Sequence, residues 1–254
     1  MNLLAFDTGT EVMSIAVSRL HDGHLHQWQH TSTGGAKAST DLIPSILNLL
    51  QQADMRLNAL QAICFGSGPG SFTGLRTACS VAQGLAFGAS VPVLAVDSLL
   101  AVAEEARHAS LAAQPSVVVT ALLDARMDEM YGATYAWHGG QWAELAGSAL
   151  VAPERLARLS SMPAELPAPW VMAGNVFAVY GERVAAQDPA GAAALRITAL
   201  PTAAAILRLA PQLLANGRAV SAEHALPSYI RDKVAKTTAE RLAEKATAQA
   251  NASL

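Results

Sequence analysis

The sequence predicts an α/β protein made of two halves on one plan, the second reduced, and three observations carry that expectation. The chain opens with three β-prone segments, the last two joined by a tight Asp22-Gly23 turn. A short apolar strand, a glycine loop and a helix start follow between Ala62 and Phe87. The opening order then returns beyond residue 97, where a β-branched strand ends on Asp124 as the first strand ends on Asp7. The expected units are residues 1–97, residues 98–231, whose last helix can return to the first half, and a polar tail over 232–254, frayed or disordered.

In chain order, Asn2 to Asp7, Val12 to Leu20 and His24 to Thr31 read as the first strands. Lys37 to Ala53 is the first helix, with Ser39 or Thr40 as its cap and Pro44 fitting only in its first turn. Its apolar stripe is Leu42, Ile43, Ile46, Leu47, Leu49 and Leu50. In the helix after the glycine loop, Gly74, Ala78, Ala82 and Ala86 recur every four residues, with Gly84 and Gly88 as a second small pair on an adjacent face. Small residues at that spacing let another helix approach closely. The face packs either within its own domain or on a second subunit; with Leu42 and Ile46 it is the expected partner interface.

Val91 to Val96 is the next strand, and Asp97-Ser98 caps a helix running to about His108. Ser116 to Leu123, Glu129 to Trp137 and Gln141 to Leu145 follow as strands, with the turn His138-Gly139-Gly140 between the last two. Pro153 to Pro169 holds four prolines and reads as a short helix and an irregular connection. Trp170 to Asn175 is a strand and tight turn, and Thr202 caps a helix that Asn216-Gly217 stops and Pro211 kinks.

Composition narrows the function. A net charge of -3 and a pI near 6.1 give no global attraction to phosphates, so a partner is expected to hold any RNA. Cys64 and Cys79 fall in a strand and a helix and read as small buried hydrophobes in a reducing compartment. No basic region precedes an apolar stretch at the amino terminus, and the run from Gly84 to Val96 is too short to span a bilayer. Neither a signal peptide nor a membrane segment is expected, and the cytoplasm is the expected location.

The chain is organised around Gly66-Ser67-Gly68-Pro69-Gly70-Ser71-Phe72-Thr73-Gly74-Leu75-Arg76. Its four glycines relax the limits on φ, and Ser71 and Thr73 stand where a helix start offers N–H groups to an anion. It is not a P-loop, because no lysine occurs between Lys37 and Lys233, and Thr73 takes the place of a dinucleotide fingerprint's third glycine. A strand-to-helix turn with close backbone packing stands beside the phosphate cradle as a reading. His24, His26 and His30 share one strand face, which suits a solvated edge strand better than a metal site lacking carboxylate or cysteine partners. No Ser-His-Asp or His-Glu-x-x-His arrangement marks a peptidase.

That eleven-residue run, with Ala82-Gln83-Gly84-Leu85-Ala86, closely resembles the signature of the bacterial TsaB (YeaZ) family. Three ordered outposts extend the resemblance along most of the chain: Leu4-Ala5-Phe6-Asp7-Thr8, Asp124-Ala125-Arg126-Met127-Asp128-Glu129-Met130-Tyr131, and Pro227-Ser228-Tyr229-Ile230-Arg231. It implies two ribonuclease-H-like halves of the actin-like ATPase superfamily. It also implies a catalytically degenerate relative of the universal threonylcarbamoyl transferase, an accessory subunit and not an enzyme. Such a chain pairs with the catalytic transferase and, with a small P-loop ATPase, completes the complex that modifies adenosine 37 of tRNAs reading codons that start with A. On this reading it forms a homodimer when alone, meets tRNA only through the complex and requires no cofactor, while ATP is used by the wider complex.

Residue by residue, the resemblance implies losses. The catalytic relative holds its metal with two histidines one helical turn apart, whereas here no histidine lies between His30 and His108, and Ala38 replaces the one that many family members keep. No metal site is expected. Asp7-Thr8-Gly9-Thr10 fits the superfamily's first phosphate segment, which makes Asp7, Gly9 and Thr10 a candidate remnant nucleotide site; the other reading is a polar turn in which Asp7 accepts backbone N–H bonds. Ala125-Arg126 stand where the second phosphate turn needs glycine, so a guanidinium occupies that space. The alternative function is a stand-alone actin-like enzyme, a peptidase or small-molecule kinase.

Overall fold

A computed structural model describes residues 1–159, 169–186 and 195–231. The first sheet contains β1 (Leu3–Asp7), β2 (Val12–His21), β3 (His24–Thr33), β4 (Ala62–Gly68) and β5 (Val93–Asp97), in the order β3-β2-β1-β4-β5. The first three strands pair antiparallel, whereas β4 and β5 join parallel. Parallel strands are covered on both faces, and β4 is accordingly buried along its whole length. The second sheet holds β6 (Ser116–Arg126), β7 (Glu129–His138), β8 (Gln141–Val151), β9 (Trp170–Gly174) and β10 (Leu195–Thr198). Its order, β8-β7-β6-β9-β10, repeats the first, with β9 and β10 added parallel. This is the ribonuclease-H-like plan used twice, as in actin-like ATPases.

Five α-helices complete the described chain: α1 (Ala38–Gln52), α2 (Phe72–Ala89), α3 (Ser98–Ser110), α4 (Phe177–Ala185) and α5 (Ala203–Ala215). Asp97 starts α3 by accepting from the N–H groups of Leu99 at 2.7 Å and Leu100 at 3.2 Å. Thr202 starts α5 in the same way, accepting from the Ala205 N–H. The apolar face of α5 packs on the first sheet, with Ala203, Ile206 and Ala210 beside Leu3, Ala5 and Leu94. α3 lies between the sheets. Leu99, Val102 and Ala106 join the core of the second sheet, and Ala101 joins that of the first. Glu104, 2% exposed, ties these elements together by accepting from Arg107, Arg208 and the Trp142 indole at 2.9 to 3.0 Å.

The structure corrects two expectations about the helices. α1 continues directly from a 3-10 turn at Gly35–Lys37, so neither Ser39 nor Thr40 is its cap and Pro44 lies in the second turn. The Thr40 hydroxyl instead donates to the Lys37 carbonyl. The second correction concerns the partner interface. Leu42, Ile46, Ala78, Ala82 and Ala86 are each at most 1% exposed and share one core with Phe6, Ile15 and Phe65, and Gly74 is buried against Thr8. The small-residue ridge lets α2 lie close on β4 and α1, inside the chain. The outward faces of these helices carry Ile43, Leu47, Gly84, Phe87 and Gly88.

Two elements escaped the sequence reading, α4 and β10. Pro153–Leu159 forms a 3-10 helix. Residues 160–168 of the proline-rich connection and the tail over 232–254 lie outside the described residues.

Candidate functional site

The loops that follow β1 and β4 face those that follow β6 and β9 across a cleft of about 460 Å³. The first half contributes Gly9, Thr10 and Pro69 to Phe72; the second contributes Leu123 to Met127, Tyr131 and Asn175; Ser228 to Arg231 run along it. Of the candidate remnant nucleotide site, Gly9 and Thr10 line this space and Asp7 does not.

Close packing accounts for the glycines of the central loop. A Cβ on Gly66 would stand 1.7 Å from the Asp7 carboxylate, one on Gly70 2.7 Å from the Gly9 carbonyl oxygen, and one on Gly74 1.9 Å from the Thr8 carbonyl oxygen. Real Cβ atoms do not come that near, so each position requires the missing side chain. The two loops are also bonded to each other. The Ser71 N–H donates to the Gly9 carbonyl at 2.7 Å, and the Thr8 hydroxyl donates to the Gly74 carbonyl at 2.7 Å. Of the two sequence readings, the geometry therefore realises close backbone packing.

Asp7 sits beneath that contact and is fully buried. Its Oδ1 accepts from the Gly9 N–H at 2.7 Å and its Oδ2 from the Ser98 hydroxyl at 2.8 Å. Burial pushes its carboxyl up to about 6, against the opposing effect of these two bonds. The residue thus joins β1 to the start of α3 and makes the polar turn in which Asp7 accepts a backbone N–H bond.

Asp124 is engaged as well. It accepts from the Arg126 N–H at 2.8 Å and the Tyr180 hydroxyl at 3.1 Å, and it pairs with the Arg126 guanidinium at 3.0 Å. Asn175 fixes its backbone by accepting from the Asp124 N–H at 2.9 Å. The Arg126 side chain is exposed on the cleft wall. The β6–β7 connection then turns through Arg126, Met127 and Asp128, all with φ between 54° and 63°. Met127 and Asp128 make a two-residue hairpin loop with a bulge before it, a conformation usually given to Asn or Gly.

His24, His26 and His30 lie exposed along β3. Among the described residues no group of three or more His, Cys, Asp or Glu is arranged to hold a metal. No sequence pattern assigns a role to Tyr131, Tyr180, Tyr229 or Arg231; Tyr131 stands in the second outpost of the family resemblance, and Tyr229 and Arg231 in the third.

Two sheets of one topology, meeting at a cleft between their first loops, define an actin-like protein. Comparison with known proteins narrows this. The family model described as TsaD, tRNA N6-adenosine threonylcarbamoyltransferase, matches residues 26–239. The chain is 32% identical to the tRNA threonylcarbamoyladenosine biosynthesis protein TsaB of Escherichia coli K12, over 92% of this chain and 96% of that protein. It is 39% identical to the Haemophilus influenzae protein of the same name over 52% of each. The solved YeaZ from Pseudomonas aeruginosa matches with a TM-score of 0.74 and 37% identity, covering 90% of this chain and 99% of that one. The chain belongs to the TsaB (YeaZ) family.

Proposed function

We propose that the chain takes part in making tRNA threonylcarbamoyladenosine as a non-catalytic subunit, binding and supporting the transferase that acts on adenosine 37 of tRNAs reading codons that start with A. The observation that carries this reading is how the cleft's polar groups are used. Gly66, Gly70 and Gly74 accommodate the chain's own backbone and Asp7, Asp7 is sealed below, and Asp124 is held by Arg126 and Tyr180. A phosphate entering in the usual pose would have to displace these contacts. The names of the related proteins supply the pathway.

The partner surface in this proposal is the outward face of α1 and α2. Phe87 is 79% exposed, Leu47 50% and Ile43 44%, and at Gly84 and Gly88 an added Cβ would meet nothing within 4 Å. Exposed apolar side chains beside bare helix backbone suit a close helix-to-helix contact. The transferase takes this face in the complex, and a second copy takes it when the chain is alone. tRNA is met through the complex, ATP is used by the small P-loop ATPase, and this chain requires no cofactor and works in the cytoplasm. The test is co-purification with the transferase, followed by a modification assay with and without this chain. Modification that depends on the chain is the expected result. Full modification in its absence, or steady ATP or peptide hydrolysis by the chain alone, would point instead to a stand-alone actin-like enzyme.

A further inference from the structure

The segment from Leu226 to Arg231 crosses the mouth of the cleft, and its two ends hold different halves. On the first half, the Gln83 side chain donates to the Ala225 carbonyl at 2.9 Å, and the Ser228 N–H donates to the Ser67 carbonyl at 2.7 Å. The Tyr229 ring lies 5.1 Å from Phe72, and its hydroxyl accepts from Arg76 Nε at 3.2 Å. Gly68 provides the seat, because a Cβ there would stand 2.6 Å from the Ser228 carbonyl oxygen. On the second half, Arg231 donates to the Glu129 carboxylate at 2.7 Å, to Met127 Sδ at 2.7 Å and to the Arg126 carbonyl at 3.4 Å.

What Arg231 grips is the β6–β7 turn with its three consecutive positive-φ residues, a conformation that persists only where surrounding contacts hold it. Outside the cleft lining the halves are also joined by α3 and α5, through Glu104, Arg107, Arg208 and Trp142. A second bridge across the mouth, Asn175 Nδ2 to Glu11 Oε1, is exposed and 3.4 Å long. At the mouth itself the strap is the more extensively bonded of the two bridges.

We propose that Leu226–Arg231 is a built-in latch that holds the two halves at one separation, bridging them as a molecule touching both loops would. Opening the cleft then requires Arg231 to leave Glu129. The pair is charge-assisted and its arginine side chain is only 13% exposed, so its loss leaves a cation short of partners and releases the strap.

The test is a distance measurement between spin labels at Ser80→Cys on α2 and Val179→Cys on α4. Both positions are exposed, and the native Cys64 and Cys79 are buried. The parent protein is expected to give one narrow distribution. Arg231→Ala and Glu129→Ala should each widen it or shift it outward, and the double variant no further than Arg231→Ala, which already removes the contact with Glu129. Exchange of the Ser228 amide should quicken roughly tenfold in each, while amides of β1 and β6 keep their protection. Arg231→Lys, which retains the charge, should fall between. An unchanged distribution with unchanged Ser228 exchange overturns the latch. So does a change accompanied by lost protection throughout β1 and β6, which would assign Arg231 to general stability.

Discussion

Asp7 carries a charge at neutral pH in a place that disfavours it. Its carboxyl is raised from 3.8 to about 6, chiefly by burial. The folded state therefore holds this proton more tightly than the unfolded chain does. Stability from this group is fully present below the unfolded value and is lost as pH rises through 6, a cost of roughly 3 kcal/mol above that. Asp7→Asn keeps an acceptor for the Gly9 N–H and can donate to Ser98. It should raise the melting temperature at about pH 7.5 and change it little at about pH 4, as thermal unfolding at the two pH values will reveal. The glycines make a contrasting pair. Gly74→Ala drives a methyl into the Thr8 carbonyl and should cost about 1 to 3 kcal/mol. Gly84→Ala enters open space on an exposed helix face and should stabilise the isolated chain by about 0.5 to 1 kcal/mol. Denaturant titration of both variants separates a glycine required by contact from one that is not.

At the scale of elements, α2 has two faces, and substitutions on them should act on different equilibria. Ala82 is buried against the sheet, so Ala82→Trp overfills the chain's own core. It should lower the melting temperature of the isolated protein by overpacking of about 1 to 3 kcal/mol or more. Phe87 faces outward, so Phe87→Asp should leave stability within about 0.5 kcal/mol. If that face binds the transferase, the same change should weaken association on the order of tenfold or more in sedimentation. The four-residue spacing announced a close-packing ridge but was neutral on what lies against it. Periodicity places Gly74, Ala78, Ala82 and Ala86 on one side; which side turns inward is decided by strands far away in sequence. Elsewhere local signals sufficed, since Asp97 and Thr202 cap their helices by bonds within three residues. α4 has no side-chain cap at its start, and the turn at Met127-Asp128 lacks Asn or Gly, so neither announced itself.

For the whole molecule, Glu104 is the side chain on which the joint between the halves converges. Burial alone would raise its carboxyl, but hydrogen bonds and charge from Arg107, Trp142 and Arg208 outweigh it and leave the group below its ordinary 4.5. Its contribution is therefore present above about 4.5 and lost as pH falls below it. Glu104→Ala would leave Arg107 and Arg208 short of a partner at the joint and should cost about 3 to 5 kcal/mol, to be read from urea unfolding near neutral pH. The same unfolding curves will report whether the halves still melt together. By itself the sequence determined the doubled strand plan, the paired aspartates at Asp7 and Asp124, the absence of histidines from His30 to His108, and the resemblance to one family. All of these rest on local order and on which residue types are present. Only the tertiary structure decided that the loop glycines meet the chain's own backbone, that Asp7 is sealed away from the cleft, that the small-residue ridge faces inward, and that Arg231 reaches Glu129. A glycine in a sequence says that something comes close but not what. The answer lies in contacts such as Gly74 with Thr8 and Gly68 with Ser228, which join residues far apart in the chain.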